Sequence, residues 1–421
     1  MRRTDFLRGG GTVRRVAITG IGVICPTGTG REEFFSNLKE GRSGIGPITR
    51  FDCTTFDVKL AGEVKDFPEF PEDIAGFGKT DPKTAFAFYA AREALHDAGI
   101  KNLDDDSLLH IGASLEIFNL DLMTAGGIRK VDDIARKLAD TSARMPLDMA
   151  ARMISSKFGN PGRKLVNCSA CAVGVQTVGH SFRSVRDGRH EVALCGGFDS
   201  MINPLGVGGF QLLGALTIDN NRGATACRPF DASRSGLVLG EGAALLVLEP
   251  LEKALAEGKK IYAEILGYGS TLDAASLSAP APDGNGAVRA MKNALNEAKL
   301  SPSAIDHINT HGTGTMLNDE TEASAIRNVF SSCWENIPVS AVKSMTGHLI
   351  AAAGSLEIAA SAFTLGTGII PSNINLRTVG KGCELFHVTG KNFRHDCEYI
   401  LTNSFGFGGQ NASMILRKVL Q

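Results

Sequence analysis

The sequence predicts an α/β layered fold built from two similar halves, and three observations predict it. Short β-rich runs alternate with longer helical patterns almost throughout. A glycine-rich turn running into an apolar strand occurs twice, near the end of each half: Gly240-Glu241-Gly242-Ala243-Ala244-Leu245-Leu246-Val247-Leu248 and Gly406-Phe407-Gly408-Gly409-Gln410-Asn411-Ala412-Ser413-Met414-Ile415-Leu416. No low-complexity segment or long Pro/Ser linker separates the halves, so they are expected to pack as one body. At 421 residues the chain exceeds what one simple core holds.

In chain order, residues 1–12 read as a flexible lead-in with arginines and glycines but no apolar core of a signal peptide. The first half is expected over 13–259 and the second over 260–421. Val16-Ala17-Ile18-Thr19-Gly20 opens the first half as a strand. Ala87, Ala91, Ala94, Leu95 and Ala98 recur at helical spacing within Thr80 to Ala98, and Gly99 stops that helix. Leu165-Val166-Asn167 is a short strand. Beyond Cys171, Val175, Val178, Phe182 and Val185 keep helical spacing up to Asp187-Gly188. Val192-Ala193-Leu194-Cys195 is a buried strand closed by Gly196-Gly197. The 49 glycines point to close backbone approach around buried loops and tunnels.

Composition removes several function classes. With 43% hydrophobic residues, 21% charged residues and a formal net charge of −1, the chain is not a nucleic-acid coat, though a local basic patch could still receive an acidic partner. Nine scattered cysteines do not form a disulfide framework, and a reducing cytoplasm is the expected compartment. No stretch is expected to reach the roughly 20 apolar residues of a membrane span.

Three residues stand out for chemistry. Cys171 follows a strand and a tight Ser-Ala step and opens an apolar helix, where unpaired N–H groups and the helix dipole are expected to favour the thiolate. A plain buried cysteine is the bland reading. Cys168 and Cys171 also form a C-x-x-C pair, so a redox couple or half of a zinc site stays open, although no second ligand pair with zinc spacing is present. His311 stands at a strand end before alternating glycines and threonines, whose backbone and hydroxyls suit an amide-bearing arm. His348 stands at the entrance of an apolar helix carrying Leu349, Ala353, Leu356 and Ala360, where a neutral imidazole is favoured. Each histidine alone also suits a core or capping role. Gly20-Ile21-Gly22-Val23-Ile24-Cys25 lacks the third glycine of a dinucleotide fingerprint, and the chain has neither a phosphate-binding P-loop nor a G-x-S-x-G elbow.

Taken in order, Ser169-Ala170-Cys171, Pro204-Leu205-Gly206-Val207-Gly208-Gly209-Phe210, Arg228-Pro229-Phe230-Asp231, His311-Gly312-Thr313-Gly314-Thr315, Lys343-Ser344-Met345-Thr346-Gly347-His348 and Asn403-Ser404-Phe405-Gly406-Phe407-Gly408-Gly409 resemble the β-ketoacyl-[acyl carrier protein] synthases of the elongating KAS II type. The likeness runs from about Val13 to the C-terminus. It implies a thiolase-like five-layered αβαβα fold of two duplicated halves, normally a homodimer. It implies that Cys171 accepts an acyl chain from the phosphopantetheine of an acyl carrier protein, with the N–H groups of Cys171 and Phe407 as oxyanion hole. His311 and His348 would then stabilise the enolate left when malonyl-carrier loses carbon dioxide, with Lys343 and Glu357 holding their geometry. Thr313, Thr315 and Ser278 would contact the substrate arm, Phe118, Phe210 and Phe405 would line the substrate site, and Phe407 would gate the acyl pocket. Lys79, Arg129 and Lys130 would dock the carrier. The resemblance implies no organic cofactor beyond the carrier's own phosphopantetheine, and some relatives bind a structural monovalent cation beside the site. No metal-ligand residues are assigned, and composition gives no expectation of a nucleic-acid partner or a membrane span.

The chain departs from that pattern at Ala113-Ser114-Leu115-Glu116-Ile117-Phe118, Pro146-Leu147-Asp148, Asp273-Ala274-Ala275-Ser276 and Gly214. These positions bear on acyl-chain type. The ketosynthase subunit of a type II polyketide or aryl-polyene system, paired with a related non-catalytic subunit, is therefore the alternative. Cys171 argues against the chain being that non-catalytic partner. A non-enzymatic or redox protein on the same fold is the remaining reading.

Overall fold

Alternation of strand and helix places each strand's apolar face against a helix, and the chain repeats one such scheme twice. The computed structural model describes residues 13–67, 82–114, 148–159, 161–276, 278–391 and 393–420. The first repeat runs β1 (Val16–Cys25), α1 (Pro82–Asp97), β2 (Ser107–Gly112), α2 (Met149–Phe158), β3 (Arg163–Asn167), α3 (Val173–Arg186), β4 (Val192–Ser200) and β5 (Glu241–Pro250). The second runs β6 (Ala263–Leu272), α4 (Asn285–Ala298), β7 (His307–Asn309), α5 (Met316–Val329), β8 (Pro338–Ser340), α6 (Ala353–Thr367), β9 (Tyr399–Gly406) and β10 (Gln410–Arg417).

Each repeat gives the same strand order, β3-β2-β4-β5-β1 and β8-β7-β9-β10-β6, with the first three strands parallel and the last two antiparallel. The two join edge to edge where Val16, Ala17 and Ile18 pair with Ile265, Glu264 and Ala263. Helices α1 and α2 cover one outer face with Phe86, Ala90 and Ile154, and α4 and α5 cover the other with Met291, Ala294 and Ile326. Helices α3 and α6 lie between the sheets, where Val175, Val178 and Phe182 meet Leu356, Ala359 and Ala360. The layers are therefore αβαβα, as a thiolase-like fold requires.

The repeat extends to single residues. A Cβ on Gly20 or Gly22 would lie 2.2 or 1.9 Å from the carbonyls of Ala94 and Ala90 on α1. A Cβ on Gly267 or Gly269 would lie 2.2 or 2.0 Å from the carbonyls of Ala294 and Ala290 on α4. Strand and helix backbones touch in both halves because glycine meets alanine. This explains the Gly20-Ile21-Gly22 step as a packing device inside β1. The register slips between Ile18 and Gly20 in the first repeat, and beside Ile265 and Gly267 in the second.

One segment departs from expectation. Ile350–Thr367 has the length and mean hydropathy, 1.3, of a membrane span, yet 83% of it is buried inside the protein. It is the central-layer helix α6 and the turn that leads into it.

Gly22→Ala and Gly269→Ala should each cost about 3 kcal/mol in urea unfolding, because the backbones have no room to part. A loss below about 0.5 kcal/mol at either position would contradict the close packing.

Candidate active site

Cys171 is presented by a sharp corner. After β3 the chain takes a left-handed residue at Ala170, φ 48°, then the short 3-10 turn Ala170–Ala172, and α3 begins at Val173. The thiol is 2% exposed. Ser404 on β9 donates its hydroxyl to the Cys171 carbonyl at 2.8 Å, which ties the corner to the second repeat. The N–H groups of Phe407 and Cys171 itself act on the sulfur.

The expected depression of the thiol by a helix start does not occur. Burial pushes Cys171 up to about 12, while the Phe407 N–H and the Lys343 charge pull it down and Asp199 pushes it further up. The helix begins two residues later, and desolvation of a thiolate outweighs a partial dipole. The resting group is therefore a protonated thiol.

His311 follows β7, held between parallel neighbours β8 and β9. Its Nδ1 lies 3.1 Å from Lys343 Nζ, which also donates to the His311 carbonyl at 2.6 Å and to Glu357. An ammonium can only donate, so Nδ1 accepts and Nε2 carries the proton. His348 reaches the same tautomer by another route, because its Nδ1 accepts the Ile350 N–H at 3.2 Å. The two rings stand 5.2 Å apart, nearly perpendicular at 81°. Burial first, and then the Lys343 charge, hold both imidazoles well below the ordinary histidine range. Neutrality of His348 therefore comes from burial more than from a helix end, since α6 starts only at Ala353.

Carboxylates that sequence reasoning passed over fix the His311 loop. Glu322 accepts the His311 and Gly312 N–H groups, both at 2.8 Å. Asp319 accepts those of Thr313 at 3.1 Å, Gly314 at 3.2 Å and Phe230 at 2.7 Å. Their signal was an i, i+3 acidic pair in the helix directly after a Gly/Thr loop, where orphan N–H groups need acceptors.

A cavity of about 260 Å³ joins these groups. Cys171, His311, His348, Phe405 and Phe407 line its inner part, Thr313, Thr315 and Ser278 its wall, and Leu213, Met316 and Leu317 its mouth. The Thr313 and Thr315 hydroxyls are 3.0 Å apart. Phe210 packs behind, 5.9 Å from the Phe407 ring and in one apolar cluster with Cys171, but does not line this cavity. Phe118, Lys79, Arg129 and Lys130 lie outside the described residues. Cys168, the other half of the C-x-x-C pair, is exposed and turns its thiol to the Ser114 carbonyl at 2.6 Å. Among the described residues no group of three or more His, Cys, Asp or Glu is placed to hold a metal ion.

Burial raises Glu357 to about 7 against the pull of Lys343. Lys343→Met leaves that carboxyl unpaired and should cost about 3 kcal/mol at pH 8. A carboxyl whose folded pKa lies above its unfolded value loses stability as pH rises, so the cost should shrink toward pH 5. An equal loss at both pH values would contradict the assignment.

Residues 13–254 match the model of the beta-ketoacyl synthase N-terminal domain, and 262–377 match that of the C-terminal domain. The chain is 37% identical to a 3-oxoacyl-[acyl-carrier-protein] synthase 2 of Synechocystis sp., over 96% of this chain and 98% of that one. Among solved structures it is similar to the ishigamide ketosynthase/chain length factor, at 35% identity and a TM-score of 0.84, covering 97% of this chain and 100% of that one. It is also similar to AntDE:AntF, a type II PKS acyl-carrier protein in complex with its ketosynthase, at 29% identity and a TM-score of 0.85, covering 96% and 100%.

Proposed function

The chain belongs to the beta-ketoacyl synthase family, and on that premise we propose that it extends acyl chains in fatty acid elongation by decarboxylative Claisen condensation of an acyl-Cys171 with malonyl-carrier. The observation that carries this reading is convergence: a buried thiol and two neutral, Nε2-protonated imidazoles open on one cavity.

The reaction divides into two transfers. Cys171 sulfur attacks the thioester carbonyl of an acyl-carrier, the carrier's pantetheine thiolate leaves, and the cysteine proton departs with it. The N–H groups of Cys171 and Phe407 stabilise the tetrahedral oxyanion. Malonyl-carrier then enters, and its thioester oxygen accepts from His311 Nε2–H and His348 Nε2–H. Charge developing on that oxygen as the C–C bond to carboxylate breaks is stabilised without a proton leaving either ring. The enolate carbon attacks the acyl-Cys171 carbonyl, and Cys171 thiolate is expelled and takes one proton from solvent. Loss of carbon dioxide makes the sequence effectively irreversible.

The carrier's pantetheine arm would enter at the mouth, whose rim is apolar, with Leu212 90% exposed beside Leu213. Thr313 and Thr315 would hold the amides of the pantetheine arm, and the apolar cluster of Phe210 and Phe407 behind Cys171 would receive the acyl chain. Among the described residues β3 pairs on one side only, with Arg163 and Lys164 exposed, so it offers an edge for a second copy or a related subunit. The likeness to a ketosynthase/chain length factor pair and to a type II PKS ketosynthase supports a second reading, the catalytic subunit of a type II polyketide system. A panel of acyl-carriers of different length and unsaturation separates the two, since efficient transfer of saturated chains favours fatty acid elongation.

Incubation with acyl-carrier should add one acyl mass to the intact protein, and Cys171→Ala should abolish the adduct. His348→Ala should still acylate but release carbon dioxide from malonyl-carrier about 100-fold more slowly. Acylation of Cys171→Ala, or undiminished carbon dioxide release by His348→Ala, would remove those residues from their roles.

A further inference from the structure

The two repeats use one backbone position in opposite ways. Ile350 has the same φ, 48°, as Ala170, and a 3-10 turn again precedes the central helix, so Ala351 stands where Cys171 stands in the first repeat. The strands that face these corners also correspond. Asp199 on β4 pairs with Gly242, and Gly406 on β9 pairs with Gln410. Gly242 and Gln410 each precede the residue opposite an equivalent site, Ile24 on β1 and Thr271 on β6. Asp199 and Gly406 are therefore the same position of the fold.

At the nucleophile's corner that position is empty of side chain. A Cβ on Gly406 would lie 3.1 Å from the Cys171 nitrogen, so glycine leaves this N–H open to the sulfur and to an oxyanion. At the second corner the fully buried Asp199 fills it. Its Oδ2 accepts the Ala351 N–H at 3.1 Å and its Oδ1 the Ser200 N–H at 3.0 Å. The Lys83 charge on α1 offsets part of the cost of burying this carboxyl.

The capped peptide adjoins the residue that sets His348. Ile350 donates the N–H that His348 Nδ1 accepts, and it does so from a left-handed conformation that a β-branched residue resists. Freed of Asp199, the Ile350–Ala351 peptide can relax and carry that N–H off Nδ1. The imidazole would then be free to move its proton to Nδ1 and lose its donor at Nε2.

We propose that Asp199 is a positioning residue for the decarboxylation step: by capping Ala351 it holds the Ile350 turn, and the turn holds His348 as an Nε2–H donor. The inference rests on the condensing reading and assigns that reaction a residue which touches neither substrate nor sulfur. It also predicts a split between half-reactions. Asp199 raises the Cys171 thiol, so removing it should leave acylation unchanged or faster.

The test measures the two half-reactions separately in the full-length protein. In Asp199→Ala, acyl transfer from acyl-carrier to Cys171 should stay within about 3-fold of the unchanged protein or rise, while carbon dioxide release from malonyl-carrier should fall about 30-fold. Asp199→Asn keeps the shape but can accept from only one of the two N–H groups, so it should fall between, about 5-fold down. It carries the same test alone if the alanine variant does not fold. Equal losses in both half-reactions would mean a merely structural role, and unchanged decarboxylation would mean none; either overturns the proposal. An unchanged protein that fails to acylate at all overturns the condensing reading, and this inference with it.

Discussion

Everything at the reactive centre depends on one buried ammonium. Lys343 is 1% exposed, and its three donors go to Glu357, the His311 carbonyl and His311 Nδ1. Each contact constrains the next. The carboxylate makes a charged lysine tolerable in the interior, burial and then the lysine charge hold both imidazoles below the ordinary histidine range, and the geometry decides which nitrogen of His311 holds its proton. A cation that merely neutralised Glu357 would not do this. Distance and donor count convert an ion pair into a tautomer switch set in one position.

The site exists because two copies of one scheme face each other with different side chains. The first contributes the thiol at the corner before α3. The second contributes both histidines, the lysine, its carboxylate and the Phe407 N–H. A sheet continuous across β1 and β6, with α3 and α6 between its halves, leaves little freedom to separate these contributions. Divergence between the copies is chemical more than architectural: alanine replaces cysteine, and a carboxylate occupies the place that glycine leaves vacant.

Much of this was legible in the amino-acid order. Gly20-Ile21-Gly22 and the alanines of Thr80 to Ala98 announced a strand and helix, and their contact explains why both needed small residues. Cys171, His311 and His348 stood out because each sits at a strand or helix end among residues that serve backbone geometry before chemistry, while Lys343 was identifiable only through the family resemblance. Less visible was the thiol's protonation, since local reasoning sees a helix start and not the desolvation that a whole fold imposes. Asp319, Glu322 and Asp199 were missed for the opposite reason. Each looks like an ordinary charged residue; Asp319 and Glu322 left only the faint signal of an acidic pair after a Gly/Thr loop, and for Asp199 it is tertiary contact that reveals the Ala351 N–H its carboxyl accepts. The Ile350–Thr367 segment was invisible as a candidate span because short glycine and serine interruptions hide a run that the core, not a bilayer, buries.

The central claim is that two uncharged imidazoles present Nε2–H to the cavity. Nitrogen-15 NMR of histidine-labelled protein, assigned with single variants and followed from about pH 8 to about pH 5.5, reads it directly. The account predicts that His311 and His348 both show a protonated Nε2 and a bare Nδ1, with no titration across that range. Protonation of either ring near 6.5, the ordinary histidine value, or a proton on Nδ1, would contradict it.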